Sequence, residues 1–269
     1  HEVCDRDDLA ILIDEEGGRV QRLPQPKWKR YPSARSLVVE GGSEEEIRQR
    51  IHQNYWHLGK GLNELGITVD AAPVADLLIP KAHEVIGDRA FASNPKDIAC
   101  FARACANGLA EAGVIPTVKH LPGYGRAAVD PHEELPIVRE TEDFLKKSDF
   151  LPFQMLADLP WGMTSHLLFP ALDEKWPATL SKKIISDIIR NWIGFKGILV
   201  TDCLFMNALS GTMPEKIQRC LEVGCDLALH SHGELGDLEK AVVGMQPISP
   251  LSWERWQRSV DWIKEKMAF

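Results

Sequence analysis

A chain of 269 residues is long enough for one barrel domain of the (β/α)8 type, which needs about 250 residues. Its composition, 44% hydrophobic and 26% charged, is ordinary for a globular protein and excludes a disordered chain. A net charge of −8 argues against a nucleic-acid or anionic-membrane partner, and no run of about 18 apolar residues predicts a membrane span.

The cysteines lie mostly inside apolar segments, and no histidine or cysteine cluster with zinc-ligand spacing accompanies them. We therefore expect reduced thiols in the core rather than disulfides, which indicates the cytoplasm. No signal peptide is apparent in a sequence that opens at His1. The cysteines are Cys4, Cys100, Cys105, Cys203, Cys220 and Cys225.

Short apolar runs rich in strand-forming residues alternate with amphipathic helices, a pattern typical of a parallel sheet with crossover helices. A further strand could lie near Lys240–Met245, and a first strand would have to precede His1. The runs that predict strands are Leu9–Asp14, Ile67–Ala72, Ile115–His120, Gly162–Leu168, Gly197–Asp202 and Asp226–His230.

Helix starts are marked by capping residues. Ser43 and Glu46 form a capping box before a long apolar face. Asn94-Pro95 opens another helix that Gly113 closes, and serines precede two later helices, Ser181 and Ser252. No linker or repeat divides the chain. The expected fold is α/β, a single (β/α)8 TIM-type barrel over residues 1–269 that lacks its first strand.

Polar residues fall at the ends of the predicted strands. A strand that is buried on both faces has no structural use for a charge at its end. In a parallel α/β barrel the carboxyl ends of the strands form one face, and that face carries the active site. The pattern therefore predicts a catalytic cleft built from Asp14, Lys119, His120, His166, Asp202 and His230.

Asp202 is the strongest catalytic candidate because it follows the apolar run Ile198–Thr201, which would deliver its carboxylate to the barrel mouth. A retaining glycosidase needs one carboxylate that attacks the anomeric carbon and a second group that transfers protons. The alternative interpretation makes Asp202 the N-cap of a helix over Leu204–Leu209.

The loop Lys119–His132 offers the second group. Gly123 and Gly125 permit backbone conformations that let the loop fold over a ligand. Asp130 and His132 lie two residues apart, so the carboxylate could orient an imidazole whose pKa of about 6.5 suits proton transfer in both directions. The alternative is an Asp-Pro turn followed by a surface histidine.

The same residues also allow other chemical interpretations. Lys119 at a strand end could form a Schiff base, as buried lysines do in barrel aldolases. The run Asp14-Glu15-Glu16 could hold a metal, but adjacent carboxylates point in different directions and Gly17-Gly18 favours a tight βα turn. The Gly-x-Gly at 123–125 lacks the rest of a nucleotide-binding motif.

Six blocks resemble the family 3 β-N-acetylglucosaminidases of bacterial cell-wall recycling, and the matches run in order from about Ile11 to Gly224, so the resemblance covers most of the chain. Several blocks are long, so their joint occurrence is specific. They are Ile13–Leu23 (IDEEGGRVQRL), Ala72–Asp76 (APVAD), Val85–Phe91 (VIGDRAF), Lys119–His132 (KHLPGYGRAAVDPH), Pro177–Ser181 (PATLS) and the segment from Gly194 to Asp202 (GFKG…TD).

The resemblance implies a retaining hydrolase in which Asp202 is the nucleophile and His132, oriented by Asp130, is the acid/base. It implies that the terminal sugar is bound by Asp76, Arg89, Lys119 and His120, which leaves little room for the Schiff-base alternative. The implied substrates are N-acetylglucosaminyl-1,6-anhydromuramyl species with or without peptide, handled in the cytoplasm. No metal or organic cofactor is implied.

The chain departs from the usual family pattern at three positions. Cys203 stands where a second aspartate usually follows the nucleophile, Pro131 replaces a serine, and Tyr124 replaces a histidine often found between the two glycines. Two further hypotheses therefore stay open. The same site could act as an N-acetylglucosamine phosphorylase, or the protein could bind the sugar without turnover.

Overall fold

The computed structural model describes residues 9–80, 82–130, 134–231 and 234–267, and its centre is a five-stranded parallel sheet in the order β1-β4-β5-β6-β7. A short antiparallel hairpin, β2 with β3, follows the first strand. The strands are β1 (Leu12–Ile13), β2 (Glu15–Gly17), β3 (Val20–Gln21), β4 (Val69–Asp70), β5 (Ile115–Leu121), β6 (Trp161–Thr164) and β7 (Ile198–Thr201).

The helices lie between and after these strands. A π-helix covers Ile184–Trp192, and short 3-10 turns occur at Gly87–Arg89 and Ala178–Leu180. The α-helices are α1 (Ala34–Val39), α2 (Glu44–Glu64), α3 (Pro95–Glu111), α4 (Glu142–Lys147), α5 (Leu151–Met155), α6 (Met213–Val223), α7 (Leu235–Val243) and α8 (Pro250–Met267). Within the described ranges, no helix combines the length and apolar character needed to cross a bilayer.

The sheet is part of a TIM-like barrel rather than a closed ring of eight strands. Five of the predicted strands are confirmed with bounds that differ by a few residues, while the sixth, at 226–230, is reduced to one bridge between Leu227 and Val200. The ladder stops there because the Leu229 amide donates to the Thr201 hydroxyl instead of a backbone carbonyl.

The strand considered for 240–245 is wrong. These residues end α7 and enter the following loop, and Val242 and Val243 are 61% and 79% exposed. The apolar run therefore lies on the outside of a helix and does not join the sheet.

Capping predictions mostly hold. The Ser43–Glu46 box and the Asn94 cap of α3 are confirmed, and Ser181 accepts a hydrogen bond from the Ile184 amide. Ser252 instead lies inside α8, which begins earlier at Pro250, and the cap is the Ser249 hydroxyl, 3.1 Å from the Ser252 amide.

The strands bury both faces, as a parallel sheet requires. Alternation along β7 places Ile198 and Val200 in one apolar cluster and Leu199 in another. Helix α8 contributes Ile263 and Trp256 to the first of these clusters, and the Trp256 ring lies 5.6 Å from that of Trp161. With both faces covered, polar side chains collect where the strands end.

Five cysteines in the described ranges, Cys100, Cys105, Cys203, Cys220 and Cys225, carry free thiols, and Cys4 lies outside those ranges.

Candidate active site

A pocket of about 470 Å³ opens at the carboxyl ends of β1, β5 and β7. This is the edge where the sequence predicts a catalytic cleft. Its polar wall combines acidic, basic and imidazole side chains, and its apolar wall is shared by the β2–β3 hairpin, β6, the segment after β7 and neighbouring loops. The polar wall contains Asp14, Glu16, Arg22, Arg89, Lys119, His120, Tyr124, Asp202, Cys203, Asn207 and Ser231; the apolar wall contains Val20, Val85, Ile86, Met163, Phe205, Met206 and Leu229.

One side of the pocket is a buried network of ion pairs. Lys119 Nζ lies 2.8 Å from Asp14 Oδ1 and 2.6 Å from Glu16 Oε1. Arg89 holds the same Glu16 carboxylate with two hydrogen bonds, from Nε at 2.9 Å and Nη2 at 2.8 Å. Paired charges with satisfied hydrogen bonds can persist in a low-dielectric wall, so each group is held in one orientation.

The network fixes the protonation of its members. Burial opposes ionisation of Glu16, but Lys119 and Arg89 outweigh it and lower its pKa to about 2. Burial likewise opposes ionisation of Asp14, but Lys119 and Arg22 hold its pKa well below the usual range. Burial works against the charge of Lys119, yet Asp14 and Glu16 raise its pKa above the ordinary value. Lys119 therefore stays an ammonium, which is a poor nucleophile for a Schiff base.

The third acidic residue of the run points elsewhere. Glu15 accepts hydrogen bonds from the backbone amides of Arg22 and Leu23 at 2.6 and 3.2 Å, so it braces the hairpin rather than the pocket. Gly17 ends β2 and Gly18-Arg19 make the turn of that hairpin, where the sequence predicted a βα turn at Gly17-Gly18. In the described part of the chain, no group of three acidic, histidine or cysteine side chains is placed to hold a metal ion.

His120 enters the pocket beside Lys119 although neighbours on a strand ordinarily face opposite sides. The register of β5 with β6 shifts between Lys119 and Leu121, which frees His120 to face the same cavity. Asp76 Oδ2 lies 2.7 Å from His120 Nδ1, and Asp76 Oδ1 accepts from the amides of His120 and Tyr124. Asp76 is fully buried behind His120 and is not among the residues that line the pocket.

Asp202 lies on the pocket wall directly after β7. Residues 204–209 form turns, and the next helix, α6, begins at Met213 with Thr212 as its cap, so the N-cap interpretation of Asp202 is wrong. Asp202 Oδ1 instead accepts from the adjacent Cys203 amide at 2.7 Å. The Cys203 carbonyl accepts in turn from His166 Nε2 at 3.0 Å.

His166 holds the segment that carries Asp202 from inside the protein. It is fully buried, and burial lowers the pKa of its imidazole. Its Nδ1 contacts the Thr179 hydroxyl at 2.8 Å, so both ring nitrogens are used inside the protein. His230, the other strand-end histidine, does not line the pocket, although its neighbours Leu229 and Ser231 do.

Of the seven site residues predicted from sequence, Asp202, Arg89, Lys119 and His120 line one pocket. Asp130 is half-buried beside it, and its negative charge helps raise the pKa of Tyr124. His132 and its neighbour Pro131 lie outside the described residues. The strand-end pattern had placed Asp14 in the cleft without giving it a role, whereas sequence reasoning did not place Glu16 there.

Similarity to known proteins shows to which family this chain belongs. Residues 6–248 match the model of the glycosyl hydrolase family 3 N-terminal domain, nearly the whole chain. The chain belongs to glycosyl hydrolase family 3.

Curated family 3 relatives are β-hexosaminidases. One from Alkalilimnicola ehrlichii is 36% identical over 83% of this chain and 65% of its own length. LpqI of Mycobacterium tuberculosis is 36% identical over 82% of this chain and 58% of its own length. The chain thus spans about two thirds or less of the length of these two relatives.

Solved family 3 structures share the fold. NagZ from Neisseria gonorrhoeae has a TM-score of 0.84 at 30% identity, covering 97% of this chain and 78% of that one. A family 3 β-N-acetylglucosaminidase from Paenibacillus sp. has a TM-score of 0.85 at 31% identity, covering 99% of this chain and 52% of that one. The partial barrel described above is therefore the family 3 barrel.

Proposed function

We propose that this family 3 protein is a retaining β-N-acetylglucosaminidase that removes terminal β-linked N-acetylglucosamine through a covalent glycosyl-Asp202 intermediate. One observation carries the proposal: the Asp202 carboxylate shares a single pocket with the buried Lys119–Asp14–Glu16–Arg89 network. A carboxylate beside fixed polar groups that suit a sugar is the arrangement a retaining glycosidase needs.

In the first step, an Asp202 oxygen bonds to C1 of the sugar while the C1–O bond to the leaving group breaks. The departing oxygen takes a proton from the acid/base, for which we propose His132 oriented by Asp130. In the second step, the same imidazole takes a proton from water as the water oxygen bonds to C1 and the bond to Asp202 breaks. The anomeric configuration is retained because C1 is inverted twice.

The buried network is proposed to hold the sugar. Lys119 and Arg89 donate hydrogen bonds while Asp14 accepts, so hydroxyl groups of the sugar meet both kinds of partner. His120 adds a further ring nitrogen that Asp76 orients from behind. Asp76 thus acts in this proposal as a positioning residue rather than as a direct sugar ligand.

The proposed substrates are N-acetylglucosaminyl-1,6-anhydromuramyl species, with or without peptide, and the proposed compartment is the cytoplasm, in keeping with the free thiols. The Paenibacillus structure is of a β-N-acetylglucosaminidase, and NagZ from Neisseria gonorrhoeae has been solved with N-trifluoroacetyl-D-glucosamine; both support an amino-sugar substrate. Phosphorolysis finds no comparable support, because Lys119 and Arg89 are already paired with carboxylates and do not form an open anion site.

A direct test is release of 4-nitrophenol from its β-N-acetylglucosaminide by the wild-type chain and by Asp202→Ala. We expect turnover by the wild type, with the β-anomer of N-acetylglucosamine appearing first in NMR spectra, and none above background in the variant. Asp187→Ala, an exposed aspartate on the π-helix, is the matched control and should keep full activity. Full activity of Asp202→Ala would refute the assignment, and N-acetylglucosamine 1-phosphate formed in phosphate buffer would replace hydrolysis by phosphorolysis.

A further inference from the structure

The hydroxyl of Tyr124 is a buried polar group at the pocket. The residue is only 2% exposed and belongs to the pocket wall. Among the residues that the structure describes, none offers a hydrogen bond to Tyr124 Oη. A buried hydroxyl left unpaired is costly, and such groups are rare unless a ligand completes them.

The position of the ring is fixed from several sides. The Tyr124 amide donates to Asp76 Oδ1 at 2.7 Å, and the ring lies 5.5 Å from that of His120. Gly123 has a φ of +150° against Asp149, and a side chain at Gly125 would fall 2.3 Å from the Leu77 carbonyl. Because the chain is held on both sides of the tyrosine, the hydroxyl cannot easily turn to another partner.

Three carboxylates act electrostatically on this hydroxyl. Burial raises the pKa of Tyr124 far above its ordinary value, and the negative charges of Asp202, Asp130 and Asp76 raise it further. The phenol therefore keeps its proton at neutral pH and well above it, and it remains a neutral donor beside the proposed nucleophile.

We propose that Tyr124 contacts the substrate, its hydroxyl donating a hydrogen bond to an oxygen of the terminal amino sugar next to Asp202. This inference rests on the proposed function and extends it by one binding residue. Sugar oxygens are suitable acceptors, and binding would supply the hydrogen-bond partner that none of the described residues provides. The same donor would hold the sugar ring against the carboxylate that attacks it.

The identity of the residue matters as well as its position. An imidazole placed among Asp202, Asp130 and Asp76 would have its charged form stabilised and would titrate near neutrality. A phenol does not titrate in that range. Sugar binding through Tyr124 is therefore independent of pH, whereas a histidine at this position, frequent in the resembling motif, would add an ionisation.

The test compares Tyr124→Phe with the wild type, using hydrolysis of 4-nitrophenyl β-N-acetylglucosaminide and the thermal midpoint. The variant removes only the hydroxyl, so we expect kcat/KM to fall by about 10-fold or more while Tm stays the same or rises. Tyr31→Phe, whose half-buried ring lies away from the pocket wall, should keep the wild-type kcat/KM. Tyr55→Phe, which loses a bond to the Glu16 carbonyl, should lower Tm.

Tyr124→His gives a second readout. Its kcat/KM should be higher than that of Tyr124→Phe. Its pH profile should show an ionisation that is absent from the wild-type profile. A Tyr124→Phe variant within twofold of the wild-type kcat/KM, or one whose loss of activity merely follows a lower Tm, would overturn the inference while leaving the proposed function intact. Absence of turnover by the wild-type chain would overturn both, so the two failures are distinguishable.

Discussion

The ammonium of Lys119 lies 2.6 Å from the carboxylate of Glu16, and their side chains are only 2% and 5% exposed. The two residues are far apart in sequence, yet both line the charged side of the pocket. A buried charge is tolerated only with a partner, so each residue depends on the other for its ionised state. The charged groups of this wall therefore depend on one another, and a substitution of one of them should change the free energy of unfolding of the protein.

Lys119→Met should destabilise the protein. The substitution keeps much of the side-chain volume but leaves Asp14 and Glu16 with one cation fewer, and breaking a buried pair costs about 3 kcal/mol or more. Urea denaturation followed by circular dichroism measures the free energy of unfolding. Lys240→Met, which removes an exposed pair with Asp237, should change it by less than about 1 kcal/mol. Equal effects of the two substitutions would show that the Lys119 pair is not structural.

Glu16→Gln should reduce the sensitivity of the fold to acid. The pKa of Glu16 is lowered in the folded protein to about 2 from an ordinary value near 4.5, so its contribution to stability is complete above pH 4.5 and is lost as the pH falls toward 2. The measurement is Tm against pH for both proteins. The slope between pH 4.5 and 2 should be smaller in the variant, and identical slopes would be incompatible with this account.

Asp70→Asn should stabilise the protein at alkaline pH. Asp70 is fully buried on β4; its Oδ1 accepts from the Glu15 amide at 3.0 Å, while Oδ2 has no partner in the described ranges. Burial raises the pKa of this carboxyl well above its usual value, so the folded state keeps a proton that the unfolded chain releases above pH 4. That difference destabilises the fold as pH rises, and asparagine removes it.

The expected result is a higher urea midpoint for Asp70→Asn at pH 8 and a difference that shrinks toward pH 4. Asp97→Asn, an exposed change in the first turn of α3, serves as the control without this pH dependence. If the gain were the same at both pH values, the carboxyl of Asp70 would not be protonated in the folded state.

Local sequence patterns predicted the helix starts and the buried strands well, because these depend on interactions between residues that are close in sequence. The Ser43–Glu46 box and the Asn94 cap satisfy helix-end amides within a few residues, and β5 and β7 are apolar runs buried on both faces. The prediction of a strand at 240–245 was wrong because the valines there face outward from α7. A short apolar run does not by itself distinguish a strand from part of a helix.

The site could be predicted only in part. Strand-end placement selected Asp202, Lys119 and His120, which line one pocket because the carboxyl ends of parallel strands meet at one edge. The partnership of Lys119 with Glu16 joins residues 103 positions apart through the hairpin β2–β3. No pattern along the sequence encodes that contact. The unpaired hydroxyl of Tyr124 likewise follows from packing around the loop rather than from the motif that contains it.

The central claim is that Asp202 becomes covalently bonded to the sugar. The most direct measurement is trapping with 5-fluoro-N-acetylglucosaminyl fluoride, which slows release of the intermediate, followed by proteolysis and mass spectrometry of the labelled peptide. The account predicts a single glycosyl group on the peptide that contains Asp202 and none in Asp202→Ala. A label on another carboxylate, with activity retained in Asp202→Ala, would contradict it.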